Sequence, residues 1–364
     1  MASTLRRHGP ILFALIAALI VLVASHAGAA GIVTGTVSVE GSQQLLADMA
    51  ISDGEQVVLT DPQGCYRLET QSNRVLIRLS VPSGYRPLDG RWFDTLHVKG
   101  QARVDFVLVP QEQPAPWTFV HVTDVHITPA IAEHVRRFTS DVNALTDPAP
   151  VLVIATGDLV HNTIRNSARS GEIREAFAMY NDATSALRPP LLNLIGNHDH
   201  AGYRAAMSVR HPLFDIGAYE RRVGPAWYSY SYGGVRLIAI NNTAVNIPLD
   251  GRYHSAISAR CLRWLKADLA AADEGTPIIL LMHQPPAAIR NGDALTALLQ
   301  RRTVLGIFHG HRHTVQEEQY HGIPTYESGS LANCVNGPTG YRVVTVGREG
   351  IVSAPYRPFA VAAE

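Results

Sequence analysis

Apolar positions change their rhythm twice along the chain. Residues 11–24 form an unbroken apolar run. From 31 to about 109 the apolar residues come in short β-branched clusters: Val33, Val37 and Val39, then 57–59, 66–68 and 75–81. Asp61-Pro62-Gln63-Gly64 lies between two of these clusters. It suits a type I turn, because Asp accepts backbone N–H bonds and Pro presets φ. A hairpin of 57–60 with 65–69 is therefore predicted. Several short strands with regular turns predict a small all-β sandwich over 31–110. Pro110, Pro114 and Pro116 crowd the next stretch. They predict an extended, semi-rigid linker at 111–116.

From Trp117 the pattern becomes strand–helix alternation. Strands are predicted at 117–122, 151–155, 191–195, 235–240, 278–282 and 304–308. Helical spacing covers 131–145, 172–187 and 258–271. Such alternation predicts a layered α/β domain over 117–358.

The 364 residues leave room for two domains of ordinary size, and 46% apolar residues supply a sizeable core. Formal net charge is zero, so nothing points to a basic nucleic-acid-binding patch or an acidic tail. The first thirty residues stand apart. Arg6 and Arg7 precede the apolar run, and Ala27-Gly28-Ala29 offers a small-residue cleavage site. This layout predicts a signal peptide at 1–30 and an exported protein, periplasmic or secreted. An uncleaved anchor is the alternative, although the run is short against the ~20 residues of a full span. No later segment is apolar enough to span a bilayer. Cys65, Cys261 and Cys334 form no CxxC motif. One disulfide is possible in an exported chain, but small buried hydrophobes are the plainer reading.

Five apolar runs each end in a polar cluster. They lead into Asp124-Val125-His126, Gly157-Asp158, Gly196-Asn197-His198-Asp199, His283, and His309-Gly310-His311-Arg312-His313. Ligand sites in α/β sheets gather at the carboxyl ends of strands, so the five clusters should converge at one sheet edge. Carboxylate, imidazole and amide oxygen together suit Mn, Fe or Zn. The i, i+2 spacing in Asp124-x-His126 and His311-x-His313 points both side chains one way if the backbone is extended. Glycines before Asp158, Asn197 and His311 are expected to allow tight turns.

This series resembles the signature of the calcineurin-like metallophosphoesterases, from about Trp117 to Tyr341. The segment 224–230 and Trp264-Leu265-Lys266-Ala267-Asp268-Leu269 also resemble bacterial members. Ser52-Asp53-Gly54 with 60–66 resembles the transthyretin-like domain that precedes some of them. The resemblance implies a pair of packed sheets flanked by helices. It implies two transition-metal ions, with Asp124, His126 and His313 holding one and Asn197, His283 and His311 the other. Asp158 would bridge them, and His198 would face the substrate, steadied by Asp199. The implied reaction is hydrolysis of a small phosphate ester by a hydroxide held between the ions. Phosphodiesterase or pyrophosphatase specificity is an alternative to monoesterase action, and a non-catalytic metal-binding or interaction module is an alternative of another class.

Departures narrow the class. Purple acid phosphatases have tyrosine three residues after the bridging aspartate, where this chain has His161, and they lack the histidine at His126. Serine/threonine protein phosphatases flank Gly-Asn-His with Arg and Glu, where this chain has Ile195 and Asp199. His161, His200 and His309 lie beside ligands and are read as supporting or solvated groups. His121 is read as core. Arg312 could meet phosphate or water. The walls of the pocket are expected from 162–170, 201–219 and 243–254. No ligand motif precedes Trp117, so the N-terminal unit is expected to be dispensable for the chemistry.

Overall fold

The structure, a computed structural model, describes residues 31–161, 170–202, 207–246, 252–332 and 337–359. The expected signal peptide and Cys334 lie outside the described residues.

The N-terminal unit is all-β, as the short β-branched runs predict. Its strands are β1 (Gly31–Val39), β2 (Ala50–Ser52), β3 (Val57–Leu59), β4 (Cys65–Thr70), β5 (Arg74–Leu79), β6 (Tyr85–Pro87), β7 (Phe93–His97), β8 (Gly100–Arg103) and β9 (Phe106–Pro110). One sheet runs β4-β1-β9-β6, with β8 also on β1, and the other runs β3-β2-β5-β7. Burial alternates strictly along β1, so Val33, Val37 and Val39 face the core with Leu68, Ile77, Leu79 and Phe106. The Asp61 turn forms: Gly64 N–H donates to Asp61 O at 2.8 Å, and Asp61 Oδ1 accepts from Gln63 and Cys65 N–H at 2.9 Å each. The predicted hairpin does not. β3 pairs with β2, whereas β4 pairs along six residues of β1. The longer ladder and the alternating face of β1 draw the second arm into the other sheet, so the turn crosses the sandwich.

The second unit contains β10 (Trp117–Val122), β11 (Leu152–Thr156), β12 (Leu191–Leu194), β13 (Tyr228–Tyr232), β14 (Val235–Ala239), β15 (Thr243–Asn246), β16 (Arg252–Ser255), β17 (Ile278–Leu281), β18 (Val304–His309), β19 (Gln316–Tyr320), β20 (Ile323–Glu327), β21 (Gly340–Val346), β22 (Ile351–Ser353) and β23 (Tyr356–Pro358). Its helices are α1 (Ala132–Ala144), α2 (Ser170–Thr184), α3 (Gly217–Arg222), α4 (Ala259–Ala270) and α5 (Gly292–Leu299). One six-stranded sheet runs β12-β11-β10-β21-β22, with β23 on β21. The other runs β13-β14-β17-β18-β20-β19. Phe119, Ile154, Leu192, Leu237, Ile279, Phe308 and Val344 fill the layer between them. The helices cover the outer faces through residues such as Phe138, Phe177, Trp264 and Leu295. Ser258 caps α4, its Oγ accepting from Cys261 N–H at 3.1 Å. Cys65 is exposed and Cys261 buried, and both are free thiols.

The proline linker does not hold the two units apart. Val81 forms a β-bridge with Tyr230. Trp92 packs on Tyr228 with ring centroids 4.8 Å apart. Trp227 Nε1 donates to Gly54 O at 3.0 Å. Arg78 is buried with its guanidinium 5.7 Å from the Trp227 and the Trp264 rings. Burial pushes its pKa down to about 10. The N-terminal unit therefore shares an apolar seam with the sheet edge at β13.

Candidate metal centre

β10, β11 and β12 run parallel in one sheet, and β17 and β18 run parallel in the other. The polar clusters follow the carboxyl ends of these five strands. Three come from one sheet and two from the other, so convergence occurs where two sheet edges meet rather than along one edge. Backbone bonds stitch the loops together. Asp124 N–H donates to Gly157 O at 3.0 Å, His126 N–H to Asp158 O at 2.8 Å, and Gly310 N–H to His283 O at 2.9 Å.

The backbone at the ligands is not extended. Asp124, His126, Asp158, His311 and His313 have φ of 52°, 46°, 53°, 78° and 58°. Asp and His are over-represented among the few non-glycine residues that adopt this left-handed region. Single left-handed residues turn the chain sharply as it leaves a strand, which aims the side chains inward. The glycines also act differently from the expectation. Gly157 has φ +91°, but Gly196 is extended at φ −108°. A Cβ on Gly196 would lie 2.3 Å from Asp158 Oδ1, and one on Gly310 would lie 2.3 Å from Asp124 Oδ2. These two glycines let one ligand loop pass against another.

Three groups of donors result among the described residues: Asp124, His126 and His313; Asp158, His283 and His311; and His126 again with His161 and His198, of which the first two contain the carboxylates. Asp124 Oδ1 lies 3.1 Å from His313 Nε2 and 3.6 Å from His126 Nε2. The two imidazole nitrogens are 3.3 Å apart. Asp158 Oδ2 stands between the first two groups, 3.2 Å from His283 Nε2 and 3.6 Å from His126 Nε2. Asn197 Oδ1 lies 3.1 Å from His283 Nε2. Two ligands each about 2.1 Å from one ion stand roughly 3.0–3.4 Å apart, which the separations of 3.1–3.3 Å match, while the two from His126 to Asp124 and Asp158 are slightly longer at 3.6 Å. Asp124 Oδ1 is buried without a hydrogen-bond partner, although nitrogens converge on it. The donors thus fit a shared cation better than they fit one another.

Electrostatics agree with that fit. Burial would raise the pKa of Asp124, but His126 and His313 hold it well below the usual carboxylate range. Asp158 is likewise lowered, against its burial, mainly by His283. Burial opposes the charge on His283, yet Asp158 lifts its pKa to about 9. Burial drops His311 to about 4, leaving it neutral. The buried carboxylates therefore demand positive charge in this cleft. The ring of His283 is fixed because Nδ1 donates to Thr156 O at 2.8 Å, which turns Nε2 to the site.

His198 sits beside this centre, its ring centroid 4.7 Å from that of His126. Nδ1 donates to His161 O at 2.6 Å, so chemistry at a substrate falls to Nε2. Burial lowers its pKa, partly opposed by Asp158. Asp199 does not steady this ring. Its two oxygens accept from Gly196 N–H at 2.8 Å and Val160 N–H at 3.1 Å, binding two ligand loops together. Burial first, then Asp158, pushes its pKa up to about 7. The His161 ring stacks on His198 at 5.7 Å. His200 Nδ1 pairs with Asp215 at 2.5 Å, and His309 is buried and held neutral with a pKa of about 3. His121 is buried, as expected of a core residue, but it is bonded to Thr156 Oγ1 and Ser328 Oγ at 2.8 Å each. Arg312 is exposed and pairs with Glu327 and Glu318. Parts of the expected pocket walls, 162–169, 203–206 and 247–251, lie outside the described residues.

The sequence reading missed the segment after β20. Ser330 Oγ donates to Asp124 O at 2.7 Å, Ser328 reaches His121, and Glu327 reaches the His311–His313 loop. Glu327-Ser328-Gly329-Ser330 is a polar run at the end of β20, but the strand before it, Ile323-Pro324-Thr325-Tyr326, is too mixed to stand out as the other apolar runs do.

Comparison with known proteins gives two family matches. The family described as calcineurin-like phosphoesterase matches residues 118–315. The family described as the N terminal of calcineurin-like phosphoesterase matches residues 31–111. A probable cyclic nucleotide phosphodiesterase of Rhodococcus erythropolis is 24% identical over 244 residues, which are 60% of this chain and 72% of that protein. A glycerophosphodiester phosphodiesterase of Enterobacter lignolyticus is 28% identical over 193 residues, 50% of this chain and 62% of that protein. Among solved structures, a dimetal phosphatase from Danio rerio aligns with TM-score 0.46 and 16% identity, covering 67% of this chain and 99% of that one.

Proposed function

The chain belongs to the calcineurin-like phosphoesterase family, and from that premise we propose that it hydrolyses a small phosphodiester at a two-metal centre. It is a metal-dependent phosphoesterase. The observation that carries the two-metal reading is Asp158 Oδ2, placed between two separate donor groups. Asp124, His126 and His313 would hold one ion, Asn197, His283 and His311 the other, and Asp158 both. When bound, two such ions polarise the phosphoryl oxygens and ease deprotonation of the attacking water. Mn, Fe and Zn all suit this donor set. A non-catalytic module would not need the full set.

This chain's own residues supply the rest. His198, oriented by the His161 carbonyl, is positioned to stabilise charge on the phosphoryl group or to protonate the departing oxygen at Nε2. Thr156 O fixes the tautomer of His283, and Asp199 braces the loops of Asp158 and Asn197. The diester preference is supported by charge. Two divalent ions against Asp124 and Asp158 leave about two positive charges. The nucleophile takes one and a monoanionic diester the other. Arg312, a cation carried on the ligand loop, has its charge offset by Glu327 and Glu318, which disfavours its use on a second substrate charge. Both relatives named above carry phosphodiesterase names.

The test is turnover of bis(p-nitrophenyl) phosphate against p-nitrophenyl phosphate, with the protein reconstituted in Mn, Fe or Zn and its metal counted. Two ions per chain and faster diester turnover are expected. No bound metal under all three conditions refutes the two-metal reading, and faster monoester turnover refutes the diester assignment. Export is inferred from residues 6–30, and its test is fractionation of cells carrying the full chain. Recovery of the uncleaved chain in the cytoplasm refutes it.

A further inference from the structure

Glu327 closes β20, and its side chain is fully buried. β20 lies parallel to β18, with His309 opposite Glu327, so the carboxylate stands beside the loop that leaves β18. Oε1 accepts from Arg312 N–H at 3.1 Å. Oε2 accepts from Arg312 Nε at 2.8 Å and from Thr314 Oγ1 at 3.0 Å, and lies 2.6 Å from an Arg312 terminal nitrogen. The Arg312 pKa is raised chiefly by this hydrogen bond. Behind the carboxylate, Glu327 O accepts from Arg342 Nε at 3.2 Å and from its terminal nitrogen at 3.0 Å. Arg342 is itself buried and tied to Gln316 O and Ala354 O. Glu327 thus connects a fixed frame to the residue between His311 and His313 and to the residue after them.

Those two histidines are both left-handed and belong to different donor groups. A loop strained at both ligands needs contacts that over-determine its shape. We propose that Glu327 is a positioning residue that sets both metal positions at once by clamping Arg312 and Thr314. This rests on the two-metal reading. Each ligand, apart from the shared Asp158, serves one ion. Glu327 contacts no ion yet governs one ligand of each. Arg312 is accordingly part of the clamp.

The test compares wild type, Glu327→Ala, Glu327→Gln and His313→Ala. Metal-free protein is titrated with Mn(II), free Mn(II) is followed by electron paramagnetic resonance, and the melting point without metal is measured alongside. Loss of an outer support typically costs about 10–100-fold in metal affinity. Glu327→Ala should weaken both ions to that extent. Glu327→Gln, which keeps one acceptor oxygen, should weaken both by less. His313→Ala should weaken one ion far more than the other. Wild-type affinity at either ion in Glu327→Ala overturns the proposal. If Glu327→Ala does not fold, Glu327→Gln decides: a wild-type metal-free melting point with unchanged affinities overturns the proposal, and the same melting point with both affinities reduced supports it. Failure of wild type to bind two ions counts against the two-metal reading instead.

Discussion

Replacing Gly196 with alanine adds one carbon where the loop after β12 passes the shared carboxylate. Its backbone is extended at φ −108° and ψ −178°, which alanine adopts without strain. The perturbation is therefore confined to the new Cβ. That atom would stand 2.2 Å from Asp158 N and 2.3 Å from Asp158 Oδ1, whereas real Cβ contacts stay beyond 3.0 Å. Backbone or carboxylate must yield by about 0.8 Å, and neither is the far end of a flexible side chain. Metal–ligand distances tolerate about 0.2 Å. Asp158 would serve both ions, so Gly196→Ala should lower occupancy at both. Misplacement by ~1 Å costs on the order of 10²-fold in rate, and a loss of that size is expected in kcat/KM for bis(p-nitrophenyl) phosphate. Gly171→Ala is the control, since its Cβ meets nothing within 4 Å. The assay is metal counting after Mn loading and desalting, followed by kinetics. Two ions per chain with wild-type kinetics in Gly196→Ala would refute the argument that this close approach places the carboxylate.

His198→Ala should keep both metals and lose more activity on an alkyl phosphate ester than on a nitrophenyl ester, because general acid catalysis, typically ~10²–10⁴-fold, matters most for a basic leaving group. Equal losses on the two esters would leave His198 only a charge-stabilising part. Asp158→Ala should reduce occupancy at both positions in metal analysis, and selective loss of one ion would argue against sharing. Asp268 is fully buried, with its oxygens 2.7 and 3.1 Å from the Arg236 guanidinium and 2.7 Å from Ser229 Oγ. Asp268→Ala should cost about 3–5 kcal/mol in denaturant unfolding, by leaving Arg236 uncompensated. A change near zero would mean that water replaces the carboxylate. A chain starting at Pro114 uncovers Tyr228, Trp227 and Tyr230. It should melt lower and aggregate sooner than the whole protein in light-scattering scans, and an unchanged melting point would show that the seam adds nothing to stability.

The donor residues were legible because each follows an apolar strand, and strand ends are where α/β sheets gather polar groups. The strands at 117–122, 278–281 and 304–309 could be read, to within a residue, from apolar runs alone. What could not be read was the shape of the chain between strand and ligand. Spacing says that Asp124 and His126 are two apart, but their left-handed conformations depend on bonds to Gly157 and Asp158, far along the chain. The Asp61 turn was readable from local chemistry, whereas the partner of each arm depended on competition with β1. The family resemblance sets Asp199 as the support of His198, while its oxygens answer to the backbones of Gly196 and Val160. Glu327 went unseen because an acid after a strand carries no mark of which loop it will meet.

The left-handed conformations at five of the seven proposed ligands set stability and ligation against each other. Glycine would relax the backbone at Asp124, His126, Asp158, His311 and His313, each conformation costing on the order of 1–3 kcal/mol. A variant library selected for heat resistance without metal should drift toward glycine at these five sites. The same library selected for turnover should hold carboxylate and imidazole there. Divergence between the two selections would mark out the site without any substrate being known.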